Sequence, residues 1–157
     1  MKIKFDLHLQ ANFWRHSPNL VIKLNDKIVE RINNFVNRQK THISFDADLD
    51  DGEHQLTIER VNKAITDTVV KDSKIVKDST VDIIDVVIDK ISIDALLDKA
   101  NFFPKYPEPW FSQQKQIGKE PSASYNYCRT LHHNGEWKLD FANPVHIWFF
   151  QNINVQI

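Results

Sequence analysis

Cysteine, glycine and methionine are scarce in this chain: one Cys, three Gly and one Met among 157 residues. The single Cys128 excludes an internal disulfide framework and a Cys-rich zinc site, and it fits assembly in a reducing cytosol. With so few glycines there is no GxGxxG or GxxxxGK pattern, so phosphate-cradling loops are excluded. No apolar run approaches the roughly 20 residues that span a bilayer. The first residues, Met1-Lys2-Ile3-Lys4-Phe5-Asp6, alternate polar and apolar and hold no signal-peptide core. Neither sign of charge dominates: 20 Lys and Arg stand against 21 Asp and Glu, for a formal net charge of -1. Binding nucleic acid by phosphate neutralisation needs a basic excess. The one basic stretch, Arg31 to Lys40, mixes its cations with asparagines and reads as a solvated loop. Neither a nucleic acid nor a membrane is an expected partner.

What is present is strand-like alternation. Ile3, Phe5, Leu7 and Leu9 alternate with polar residues, the pattern of a half-buried strand. Leu20–Leu24 and Lys27–Val29 flank Asn25-Asp26, a tight-hairpin signature. His42–Leu49 and Gln55–Glu59 flank Asp50-Asp51-Gly52, which predicts a second hairpin. Thr66–Val70 and Lys74–Lys77 surround Lys71-Asp72-Ser73 and read as two short strands. Val81–Ile93 is rich in β-branched residues and reads as one or two strands, followed by a short helical turn over Asp94–Ala100. Arg129–His132 and Glu136–Phe141 flank His133-Asn134-Gly135, and Asn-Gly is a strong hairpin signal.

The composition shifts after Ala100. Three prolines, at 104, 107 and 109, fall among aromatics in Phe102–Trp110, so an extended segment pressed onto the core is expected. A short helix over Trp110–Ile117 closes at Gly118, and Pro144–Gln151 reads as a short helix or a buried strand. Short strands at regular spacing predict a mainly β fold, an antiparallel β-sandwich of jelly-roll or immunoglobulin-like type with one or two short helices. Residues 1–100 form the expected sandwich, and residues 101–157 form an aromatic C-terminal extension packed on it as part of a single structural unit.

Few groupings carry chemistry. His132-His133 is the one close histidine pair, and adjacent strand residues point to opposite faces. Asp46, Asp48, Asp50 and Asp51 offer the carboxylate oxygens that calcium prefers, but without the spacing of an EF-hand loop. The same acids read more simply as a charged edge that discourages strand pairing. Cys128 and the serines have no nucleophile signature, so catalysis is not expected. Trp137 and Trp148 belong to apolar patterns and read as core. Phe102, Phe103, Tyr106, Trp110, Tyr125 and Tyr127 lie in or beside the Pro-aromatic arm and form the expected binding surface.

Four runs carry a resemblance: Leu24-Asn25-Asp26-Lys27-Ile28-Val29, Asp51 to Arg60, Tyr106-Pro107-Glu108-Pro109-Trp110 and His133 to Leu139. Over most of the chain they resemble small proteins of marine cyanophages and related tailed phages. The first two runs, within residues 1–100, also resemble hairpins of calcium-dependent, xylan-binding-type carbohydrate-binding modules. The phage resemblance implies a virion structural protein: a capsid decoration, tail or fibre-junction component, assembled in the host cytoplasm with other virion proteins as a homo-oligomer or symmetric array. The module resemblance implies the alternative, calcium-dependent recognition of a host-surface glycan; it does not itself assign ligands, and Asp46, Asp48, Asp50 and Asp51 are candidates for calcium by their carboxylates alone. A glycan-acting enzyme is a third reading. It requires a cleft on which carboxylates converge.

Overall fold

The computed structural model describes residues 1–153, and the last four residues of the expected 101–157 extension lie outside the described residues. In chain order the strands are β1 (Lys2–Asn12), β2 (Asn19–Leu24), β3 (Lys27–Ile32), β4 (Lys40–Asp48), β5 (Gly52–Val61), β6 (Val69–Lys71) and β7 (Lys74–Lys77). They continue as β8 (Thr80–Ile88), β9 (Ile91–Ser92), β10 (Asn101–Pro104), β11 (Tyr125–Asn126), β12 (Thr130–Leu131) and β13 (Gly135–Asn143). Helix α1 spans Trp110–Gln116, helix α2 spans Val145–Ile153, and 3-10 turns cover Ile65–Asp67 and Asp94–Lys99.

The strands build a mainly β, antiparallel sandwich. One sheet runs β12-β8-β1-β4, with β9 on β8. The other runs β11-β10-β13-β5-β2-β3, and β6 and β7 form a separate ribbon. Alternation explains the layers. In β1, Ile3, Phe5, Leu7, Leu9 and Ala11 are fully buried, while the residues between them face out. The facing sheet contributes Ile22, Leu56, Ile58, Trp137 and Leu139. Fully burying a large apolar side chain stabilises by about 1.5–3 kcal/mol, so this seam fixes which face of each strand points inward.

Three short turns form as their residues require. Asn25 and Asp26 have φ of 51° and 66° and join β2 to β3; Asp72 and Ser73 join β6 to β7; Asp89 and Lys90 join β8 to β9. Left-handed residues in pairs match the twist of a two-residue hairpin. The 3-10 turn at Asp94–Lys99 and helix α1, followed by Gly118 at φ 79°, also lie where expected.

Two expected hairpins are instead arches between the sheets. The chain after Asp50-Asp51-Gly52 does not return along β4. β4 pairs with β1, and β5 pairs with β2 and β13. Leu49 turns into the core, its N–H donates to the Met1 carbonyl at 2.9 Å, and Asn143 Nδ2 reaches the Leu49 and Asp50 carbonyls at 3.4 Å. Likewise β12 pairs with β8, whereas β13 enters the other sheet. Asn134 and Gly135 serve a close crossing. Asn134 brackets the Lys63 backbone with both amide atoms, and a Cβ on Gly135 (φ 147°) would meet the Phe103 carbonyl and stand 2.8 Å from Pro104 Cα.

Residues on both sides of position 100 share these sheets. β13 lies between β5 and β10, inside its sheet, with Trp137, Leu139 and Phe141 buried. The segment after residue 100 therefore supplies a central strand of the sandwich rather than an extension laid on it. A second tie spans the layers. Arg60 is 1% exposed and donates to the Ser79 and Leu131 carbonyls and to Ser79 Oγ, at 2.6 to 2.8 Å. Burial pushes its pKa down to about 10, still above neutral pH, so a charged guanidinium pins β5 to the start of β8 and the end of β12.

Candidate functional site

The six aromatic residues of the arm separate into three groups. Phe102 points inward, 2% exposed, paired with Trp137 on one side and Tyr125 on the other. Phe103, one residue on, points to the opposite face under Lys138, whose ammonium lies 5.7 Å from the ring centre. Period two places these neighbours on different surfaces, so neither joins the others. Tyr106 and Trp110 form a cluster of their own with Phe111 and His133, at ring-centre distances from Tyr106 of 5.5, 5.5 and 5.1 Å. The Tyr106 hydroxyl donates to the Ser122 carbonyl at 2.8 Å and accepts from the Tyr125 hydroxyl at 2.7 Å. Burial, reinforced by the Tyr125 bond, pushes its pKa well up, so it stays a neutral clamp that holds β11 against the arm.

Tyr125 and Tyr127 are left facing solvent, and Tyr127 is 76% exposed. Its backbone has φ 57°, uncommon for a bulky residue and costly by about 1–2 kcal/mol. Its N–H donates to the Asp98 carbonyl at 3.2 Å, which ties the strained residue to the 3-10 turn. Behind it, Trp137 Nε1 donates to the Cys128 carbonyl at 3.0 Å. Arg129 follows, its guanidinium bonded to Asp94 Oδ1 at 2.8 Å, the Asp94 carbonyl at 2.5 Å and Asp98 Oδ1 at 3.3 Å. Burial alone would lower the Arg129 pKa, but the two aspartates outweigh it and raise it. The Cys128 thiol is pushed up by burial and donates to the Thr130 carbonyl, a poor state for a nucleophile.

Tyr127 stands between two depressions. One, of about 430 Å³, is lined by Tyr125, Asn126, Tyr127, Arg129, His132 and His133, over Phe102. The other, of about 570 Å³, is lined by Ala95, Asp98, Lys99, Asn101, Asn126 and Tyr127. They adjoin at Asn126 and Tyr127, which line both, and are treated together as one groove. It offers an aromatic face, planar amides and a guanidinium fixed in place, the mixture of apolar surface and few oriented polar groups that small polar ligands require. Tyr125 and Tyr127 were legible as aromatics beside polar residues. Asn126, Arg129 and Asp98 were not, because nothing in the local sequence shows that the 3-10 turn and β11 meet.

The acidic set does not assemble into a site. Asp48 binds the N-terminal ammonium at 2.8 Å, Asp46 faces Lys2 at 3.7 Å, and Asp50 offers its backbone carbonyl to His54 Nε2 at 2.7 Å. Among the described residues no group of three or more His, Cys, Asp or Glu side chains is placed to hold a metal ion. Calcium takes six to eight oxygens; Asp46, Asp48, Asp50 and Asp51 do not fit it. A further cleft of about 530 Å³ lies between the β2–β3 turn and α2 and brings Asp26, Glu53 and Asp140 near Trp148. Asp140 there accepts from the Gln55 amide at 2.8 Å.

No protein-family model matches this chain, and no curated protein matches it. Among solved structures it is similar to vCBM60 in a selenomethionine form, described under a circular permutation linking two families of calcium-dependent carbohydrate-binding modules. The TM-score is 0.52 at 10% identity, over 87% of this chain and 88% of that chain. It is also similar to vCBM60 in complex with galactobiose, with a TM-score of 0.51 at 11% identity, over 86% of this chain and 95% of that one. The likeness is one of fold, a β-sandwich of the carbohydrate-binding-module kind. Neither likeness supports the phage resemblance.

Proposed function

We propose that this protein is a carbohydrate-binding domain that acts by binding rather than catalysis, and that the groove at Tyr127 holds the sugar. The observation that carries the reading is the Tyr127 ring, held in solvent on a strained backbone between two depressions. Strain of this kind persists where surrounding structure over-determines it, and it concentrates at ligand sites. The fold likeness to a module solved with galactobiose supports the class of ligand. Non-catalytic action is supported by the groove's lining: among the described residues its one carboxylate is Asp98, which Arg129 holds. Sugar binding here relies on ring stacking and amide hydrogen bonds and takes no step through calcium.

A glycan array probed with the folded protein, with and without calcium, tests the reading. Binding in both conditions that is lost in Tyr127→Ala is expected. Shorter products released from a bound oligosaccharide on long incubation would put the acids of the Trp148 cleft to work and contradict binding alone.

A further inference from the structure

We infer that copies of this chain associate head to tail, the basic end of one sandwich docking on the acidic end of the next. The strand registers define the two ends. Gly135 pairs with Arg60 and Asn19 with Val61 at one, and Asn143 pairs with Gly52 at the other. The β6–β7 ribbon springs from the first end, between β5 and β8, and belongs to neither main sheet. Every residue of β7 is exposed. A two-stranded ribbon alone is at best marginally stable in water, and unpaired edges with apolar side chains invite a partner. Ile65, Val70 and Ile75 are each more than half exposed, and with Pro107 and Trp110 they line an apolar cavity of about 330 Å³.

Charge selects the occupant. Lys105 lines this cavity, and Lys71, Lys74 and Lys77 stand on the ribbon. All four are exposed, and among the described residues none is paired with a carboxylate. At the far end Asp26, Asp50, Asp51, Glu53 and Asp140 are exposed, and among the described residues none is paired with a cation. Asp72 and Lys27 each offset one charge, which leaves an excess of opposite sign at either end. The acidic end has apolar surface to match the ribbon: Asp26, Glu53 and Asp140 share their cleft with Trp148 of α2, and α2 exposes Ile147 and Phe150, three residues apart on one face. The whole chain carries a net charge of -1, so complete copies repel little. Such a contact leaves one basic and one acidic end free on every pair, so it grows into chains unless the rotation closes a ring.

Sedimentation velocity of the full chain, as a series in concentration and salt, tests this. At low salt the weight-average mass should at least double from dilute to concentrated samples. Near 1 M salt, where charges are screened within about 3 Å, it should return to that of one chain. Lys71→Glu with Lys74→Glu, on the ribbon, should hold the protein as single chains at every concentration, and so should Asp51→Lys with Glu53→Lys at the acidic end. All four positions are exposed, so circular dichroism should show the fold intact. The variant with both pairs reversed restores opposite signs at the two ends and should associate again. Single chains at every concentration and salt would overturn the inference. So would association that survives in the Asp51→Lys, Glu53→Lys variant, because ribbon-to-ribbon docking needs no acidic end. Failure of the folded four-fold variant to regain association would overturn it as well.

Discussion

The β4 edge and the Tyr125–Arg129 segment both carry polar or aromatic side chains at the sandwich surface, and they differ in what those side chains are doing. Along β4, Asp48 is bonded to the chain's own N-terminus and Asp46 faces Lys2. In the second region Arg129 and Asp98 are also bonded to each other, but there the pairing holds the turn that ties the Tyr127 backbone, and the Tyr127 residue is 76% exposed among the described residues. A surface becomes a site where internal bonds hold a group in place and leave its binding face free. Exposed ion pairs between flexible side chains contribute little and hold little in place.

The contrast can be broken most severely from beneath. Gly135→Ala places a methyl against the Phe103 carbonyl and Pro104, under the start of the arm. A cost of about 3 kcal/mol or more is expected, a fall in Tm of roughly 10 °C in thermal unfolding. Glycan affinity should fall with it, because β10 carries β11. Tyr127→Gly should separate function from stability. Binding should weaken by about tenfold or more in calorimetry, about 1.4 kcal/mol. Tm should hold within about 2 °C, because relief of the left-handed strain and the greater backbone entropy of glycine are each about 1 kcal/mol and oppose one another.

The exposed β4 edge should also differ in acid from a third place, the part-buried Lys63–Asp78 contact. Burial alone would raise the pKa of Asp78, but bonds from Lys63, Thr68 and the Ser79 N–H outweigh it and hold it below the usual carboxylate value. Its contribution is therefore present above the unfolded value of about 3.9 and lost as pH falls through the lower folded value. Asp78→Asn should lower Tm at neutral pH and flatten the acid limb of a Tm-versus-pH curve. Asp48 is also held low, by the N-terminal ammonium, but it is fully exposed, and Asp48→Asn should leave that limb almost as it is. The smallest effect belongs to the double variant Asp46→Asn with Asp48→Asn: glycan affinity unchanged in calcium and in chelator. A loss confined to the calcium-containing sample would return the metal to β4.

The strands were legible because burial on one face imposes a period of two, plain in β1 and in the hairpin at Asn25-Asp26. The connections were less so. Asp50-Asp51-Gly52 and His133-Asn134-Gly135 carry hairpin residues, yet both make arches, because a strand with one apolar face satisfies either sheet and the choice depends on distant partners such as Met1, Lys63 and Asn143. That same non-local pairing placed β13 at the centre of its sheet. Of the expected binding residues, Tyr125 and Tyr127 lie on the groove and Tyr106 clamps it, while Trp110 packs on Tyr106, Phe102 lies beneath and Phe103 faces elsewhere. Arg129 and Asp98 became visible only with the 3-10 turn brought against β11.

The proposed function turns on where a sugar sits. Amide chemical-shift mapping of the isotope-labelled protein, titrated with the neutral oligosaccharide that binds best on the array, tests it most directly. The largest changes are expected at Asp98, Asn101, Asn126, Tyr127 and Arg129, unaltered by chelator. Changes centred on Asp46 to Asp51, or on Asp26, Glu53 and Trp148, would contradict it.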